Sequence, residues 1–373
     1  MNLLPQIRNK VHILAVLVMV VHVSVAGALH ADLTASQLYF SARTMTTPQG
    51  RVVKRTIING PPEPPPGFIR AQVSMVEPDQ LAGINIIDGV PAYSWSFGCS
   101  PTSAAMIAGY YDRNGYAHMY TGPTNGGVMP LDNDAYWTTW EDSCSDDRSR
   151  CPLSATQKGL DGRSTRGHVD DYWVCYKDPG PDPYEANSWS EHDQGRCTAD
   201  FMGTNKASDP MNNVDGATSF YFYNDGSKLR AQDIYNLGPT YYESSGMYGV
   251  LEFYESRGYA VVCAYNQYIH PYHENGFTYD QYKAEIDFGR PVMFHVKGHT
   301  MVGIGYDDGA QQMFIHDTWD HSVHSMAWGG KYSGMDHYAV TIVVLADNMS
   351  PDPNPDSEKK QHLPWIYPLL LEK

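Results

Sequence analysis

Cys99 stands directly before Ser100-Pro101, at the head of a stretch to Arg113 with apolar residues at 104, 105, 107, 108 and 111. That spacing predicts a helix with one buried face, with Pro101 tolerated in its first turn and Asn114-Gly115 as its stop. A sulfur at a helix start faces unpaired N–H groups and the positive end of the macrodipole, and both favour the thiolate. Thiols so placed have pKa values of roughly 3.5–7.5 instead of about 8.5, most of all when an imidazolium lies close. Gly98 removes side-chain bulk just before the sulfur. Taken alone, Cys99 equally fits a buried apolar residue or half of a disulfide.

Far downstream, Gly289 to Asp308 reads as strand, a Gly298-His299 step, and a second apolar strand ending in Tyr306-Asp307-Asp308. His299 then begins a strand, where its ring can project into a cleft. Asp317 closes the next one, Met313-Phe314-Ile315-His316-Asp317. If 299–306 and 312–317 form a hairpin through Asp307-Asp308-Gly309, the start of one strand meets the end of the other and His299 lies beside Asp317. A carboxylate holding one imidazole nitrogen while the other faces a thiolate is the arrangement of covalent acyl transfer.

Three blocks together resemble one family: Gly98-Cys99-Ser100-Pro101-Thr102-Ser103-Ala104-Ala105-Met106 with Gly109-Tyr110-Tyr111-Asp112, the Gly298-His299 to Asp308 block, and Ile315-His316-Asp317. They look like the bacteriocin-processing (double-glycine leader) peptidase-like branch of the papain-like cysteine peptidases, over about residues 90 to 347. The resemblance implies a papain-like α+β fold, with a Cys-bearing helix packed on an antiparallel sheet that carries His and Asp. It implies Cys99 as nucleophile, His299 as general base and Asp317 as its orienting partner. One departure concerns the oxyanion hole, because Val90 to Phe97 contains neither Gln nor Asn where the family supplies a glutamine. The Cys99 N–H with a Ser94 or Ser96 hydroxyl is the expected substitute. Losing one preorganised donor costs about 2.7–4 kcal/mol.

Around these blocks the chain divides into four parts. Residues 1–28 read as a secretory signal peptide: Arg8 and Lys10, an apolar run from Val11 to Val25, then Ala26-Gly27-Ala28 for cleavage. Residues 29–67 form an N-terminal segment with a hint of strand over Arg51 to Ile58, ending in the linker Pro61-Pro62-Glu63-Pro64-Pro65-Pro66-Gly67. The main domain is placed at 68–349 and a loose tail at 350–373. Within the domain, 120–240 is rich in Gly, Asn, Asp and Pro and reads as an irregular insertion with short strands such as Ser219 to Tyr223. Helices are predicted over Gly246 to Arg257 and Thr278 to Phe288, and strands over Tyr259 to Tyr265, Pro291 to Val296 and His337 to Ala346. Export also suggests disulfides, and Cys144–Cys151 with Cys175–Cys197 is one of three pairings that would staple the insertion. Cys263, in an apolar run, reads as an inert thiol.

With 42 acidic against 26 basic residues, the formal charge of −16 argues against a phosphate-binding surface, so nucleic acid is not an expected partner. Hydrophobic residues make up 42% of the chain, enough for a substantial core, and 12% aromatics against 18% charged residues suit a loop-rich extracellular protein. His316 to His324 carries histidines and carboxylates at no common zinc spacing, and Gly298 breaks any regular face shared by His295 and His299. No metal or cofactor is therefore expected. Gly167 to Trp173 reads as a solvated loop.

The sequence thus points to an exported hydrolase acting on a peptide or protein substrate through a thioester, secreted or periplasmic, with no membrane span left after signal cleavage. Two alternatives remain open: a non-catalytic secreted module binding peptides or surface material on the same fold, and a transglutaminase-like acyltransferase.

Overall fold

The computed structural model describes residues 39–68, 70, 71, 73, 83–120, 128–133, 137, 140, 141, 147, 148, 151–155, 197–204 and 216–346. The expected signal peptide, the tail, the Gly167 to Trp173 loop and two of the cysteines, Cys144 and Cys175, lie outside these residues. In chain order the strands are β1 (Phe40–Thr46), β2 (Val52–Ile58), β3 (Ile84–Ile86), β4 (Trp140–Glu141), β5 (Asp147–Arg148), β6 (Thr218–Tyr223) and β7 (Leu229–Arg230). They continue as β8 (Val261–Tyr268), β9 (Val292–Val296), β10 (His299–Asp307), β11 (Gln312–His316), β12 (His324–Ala327), β13 (Lys331–Tyr332) and β14 (Met335–Leu345). The main sheet runs β12-β11-β10-β9-β14-β8-β7, with β3 on β10 and β13 on β14, and its pairings are antiparallel. Helices and an antiparallel sheet make the architecture α+β.

Local signals explain the helix boundaries near the sheet. Thr278 caps the helix Tyr279–Asp287 by accepting from the Gln281 N–H, while the Gln281 side chain accepts from the Thr278 N–H. This reciprocal box satisfies two donors that a helix start would otherwise leave bare. Ser245 caps the helix Gly246–Ser256 in the simpler way, accepting from the Tyr248 N–H.

The helix Cys99–Arg113 departs from the expected single buried face, because every residue from Cys99 to Asp112 is buried. The sheet covers one side through β9 and β10, and the segments 151–155 and 197–204 cover another, with Thr198 Oγ1 donating to the Pro101 carbonyl at 2.8 Å. Its small hydroxyl residues tolerate this because they bond inside the fold: Ser100 Oγ with Thr300 Oγ1 at 2.8 Å, Ser103 Oγ to the Thr300 carbonyl at 3.2 Å, and Thr102 Oγ1 to the Gly98 carbonyl at 2.6 Å. Buried polar groups without such partners would each cost about 1–3 kcal/mol.

The N-terminal segment is built into the domain. β2 lies between β1 and β6, aligned Ile58 with Thr218 and Val53 with Tyr223, and Val53, Ile57 and Ile58 are completely buried. The aromatic run seen in the sequence at 219–223 is thus the partner of a strand more than a hundred residues upstream. Among the described residues no disulfide links two cysteines, and Cys151 and Cys197 are both buried. Also among them, no helix is long and apolar enough to cross a membrane.

Candidate active site

A kink delivers the sulfur. Phe97 and Gly98 both have positive φ, 58° and 131°, and turn the chain so that Cys99 becomes the first residue of its helix. A Cβ at Gly98 would lie 2.7 Å from Pro101 Cγ, so only glycine fits this approach. Sγ then meets the start of β10, where the Thr300 N–H donates to it at 3.3 Å.

His299 reaches the same point from the sheet. β10 and β11 pair in the expected hairpin, with Val302 opposite His316, which carries the chain just beyond β11 back toward His299. The contact differs from the carboxylate expected there. His299 Nε2 lies 2.7 Å from the main-chain carbonyl of Asp317 and 3.0 Å from Thr318 Oγ1. A carbonyl can only accept, so Nε2 carries the proton and Nδ1 is left as the basic nitrogen. That Nδ1 has no nitrogen or oxygen partner, and it and the Cys99 sulfur both lie against Gly60. Thr318 holds φ at 66°, unfavourable for a β-branched residue, and this turn aims both the preceding carbonyl and its own hydroxyl at the imidazole. Trp319 completes the support by stacking on His299, with ring centroids 4.2 Å apart and 22° between planes.

The Asp317 carboxylate points elsewhere. It accepts from Arg70 Nη1 at 2.9 Å, Tyr332 Oη at 2.7 Å and the Trp319 N–H at 3.0 Å. Asp317, Asp320 and His324 could together ligate a cation, but the Arg70 guanidinium already bridges the two carboxylates, at 2.9 and 2.8 Å. Asp317 therefore acts on His299 through its backbone, and its side chain clamps the turn that presents that backbone.

Burial opposes the Cys99 thiolate, but the His299 charge and hydrogen bond, with the Thr300 and Gly60 N–H groups, outweigh it and lower the thiol pKa. His295, one strand away, is buried between Thr300 Oγ1 and Thr341 Oγ1, and desolvation lowers its pKa to about 3, so it stays neutral.

Near the site, Asp320 accepts from His324 at 2.9 Å. Burial works against both charges, yet each holds the other: Asp320 titrates below its ordinary 3.8 and His324 above its ordinary 6.5. The Asp320 contribution to stability is present above the unfolded carboxylate value and lost as pH falls through the lowered one. The His324 contribution is full below the unfolded imidazole value and lost as pH rises through the raised one. The pair therefore stabilises most between about pH 4 and 6.5. Melting curves against pH should show the difference between the unaltered chain and His324→Gln peak in that window and shrink on either side. A pH-independent difference would contradict the linkage.

The two serines expected at the oxyanion position are committed elsewhere. Ser96 Oγ accepts from the Cys151 N–H at 2.9 Å, and Ser94 Oγ lies 3.1 Å from His321 Nε2. Trp95, between them, points into the site instead, its indole N–H donating to the Gly60 carbonyl at 3.0 Å. Neither Trp95 nor Trp319 was singled out in the sequence. The alternation of an extended run is the one signal that separates 95 from its neighbours.

Residues 231–339 match the Peptidase_C39 like family. The match takes in His299 and Asp317 and begins after Cys99. No curated protein and no solved structure matches the chain.

Proposed function

We propose that the chain, whose residues 231–339 match the Peptidase_C39 like family, is an exported papain-like cysteine hydrolase cutting peptide or amide bonds with Cys99 and His299. The observation that carries the reading is the sulfur at a helix N-terminus facing a basic imidazole nitrogen whose opposite nitrogen is fixed by the Asp317–Thr318 turn.

The chemistry follows from that geometry. His299 Nδ1 takes the thiol proton, and Sγ attacks the substrate carbonyl carbon, forming a C–S bond while the π electrons move to oxygen. Helix-start N–H groups face the developing charge. Collapse breaks the C–N bond, the amine leaves with the proton from His299, and a thioester remains. Water then attacks as His299 takes its proton, and breaking the C–S bond releases the acid and restores the thiol. Export through residues 1–28 belongs to the same reading, as do a papain-like fold and a peptide or protein substrate.

A peptidyl vinyl sulfone tests it. Because Cys99 is buried, mass spectrometry should find the thioether forming slowly, on Cys99 of the native chain and on no other cysteine, and not at all in Cys99→Ala. Adducts spread evenly over the cysteines only after denaturation, in a chain whose folded Cys99 a small alkylating agent does reach, would favour a binding module. Incorporation of a primary amine into the peptide in place of hydrolysis would favour acyl transfer.

A further inference from the structure

Cys99 and His299 are each 0% exposed. A peptidase whose nucleophile and base have no access to solvent cannot receive a substrate in this conformation, so what covers them matters.

The cover is the chain itself. Leaving β2, residues Asn59, Gly60 and Pro61 are buried and cross directly over the two reactive groups. Gly60 is so close that a Cβ built on it would collide with both His299 Nδ1 and Cys99 Sγ. The segment is held through its backbone. The Gly60 carbonyl accepts from Trp95 Nε1 at 3.0 Å and the next carbonyl, Pro61, accepts from Trp319 Nε1 at 2.8 Å, while the Asn59 N–H donates to the Tyr39 carbonyl at 2.9 Å. Main-chain hydrogen bonding of an extended segment is how a cleft grips a peptide irrespective of side chains. The Gly60 N–H is among the groups that favour the Cys99 thiolate.

We infer that Asn59–Pro61 is an intramolecular occupant of the substrate cleft, gripped by the indoles of Trp95 and Trp319, and that the enzyme is latent until this segment leaves. The inference rests on the peptidase reading for the word substrate, but the occlusion itself does not. β2 anchors the segment on one side through its pairing with β6, and on the other the chain emerges at Glu63 and Gly67, which are exposed. A tethered occupant acts at an effective concentration of order mM, so a free peptide at micromolar concentration must wait for its departure.

Iodoacetamide, small and neutral, reads the access, with alkylation of Cys99 followed by mass spectrometry on the full chain. In Gly60→Ala the new methyl cannot share the space with the two reactive atoms, and in Trp95→Phe one of the two indole bonds is gone. Each variant should alkylate Cys99 about tenfold faster or more, the effect of losing roughly one hydrogen bond's worth of holding. In the unaltered chain, alkylation should be limited by the same opening that exposes the Gly60 amide to hydrogen exchange. That comparison needs no variant to fold. Alkylation of the unaltered chain at the rate of a freely exposed thiol, or faster than Gly60 exchange allows, would overturn the inference. Faster alkylation in the variants without any peptide hydrolysis would leave the occlusion standing and remove the peptidase reading.

Discussion

Replacing Cys99 with alanine is expected to lower peptide hydrolysis by about 10³-fold or more in whichever background turns over, the intact chain or Gly60→Ala. A nucleophile removed from a cooperating set takes nearly the whole covalent route with it, and losses of up to about 10⁶ in kcat are known for such sets. The sulfur is the atom on which the Thr300 N–H, the Gly60 N–H and His299 Nδ1 converge, and no other sulfur or hydroxyl shares that position among the described residues. The neighbouring Ser100 hydroxyl is bonded to Thr300 Oγ1 at 2.8 Å and lies 3.9 Å from Sγ. The fold should lose no more than about 1–2 kcal/mol, since one small buried atom goes. Melting curves alongside rates separate the two effects. Turnover kept within a few-fold by a folded Cys99→Ala protein would end the assignment.

His299→Ala should act nearly as strongly and leave a signature in pH. In the folded chain burial pushes the thiol up, and the His299 charge is the largest influence pulling it down, aided by the Thr300 and Gly60 N–H groups. Without the imidazole, burial prevails. The inflection in alkylation rate against pH should then move upward. At neutral pH the thiolate fraction falls roughly tenfold for each unit of that shift. Rates across pH 5–10, compared in one background, read it directly. A downward move, or none, would mean that His299 does not hold the thiolate. Hydrolysis should fall further than alkylation, because the imidazole must also deliver a proton to the leaving amine.

The candidate site was legible to different depths. The Cys99 helix start, the Gly298-His299 step and the Asp307-Asp308-Gly309 turn are carried by residues close together in sequence, and the turn sets the hairpin that brings His299 back toward Asp317, with an irregularity between Gly303 and Gly305 that no local pattern announces. Which atom of Asp317 meets His299 was not legible. It depends on Thr318 taking a positive φ and on Arg70, Tyr332 and the Trp319 N–H drawing the carboxylate away. Nor was it legible that Ser96 would bond the Cys151 N–H and Ser94 would lie beside His321 while the Trp95 indole between them bonds Gly60.

The chain alone determined which residue types could react and where the helices at Cys99, Gly246 and Tyr279 begin, because caps, turns and apolar period are set by neighbours a few positions apart. Only the folded molecule decided that β2 pairs with β6, that the Cys99 helix is covered on all sides, and that Gly60 ends beside the sulfur. Those contacts join positions distant along the chain. Their free energy comes from burying shared surface and pairing backbone groups, and no local pattern records which distant partner will do so.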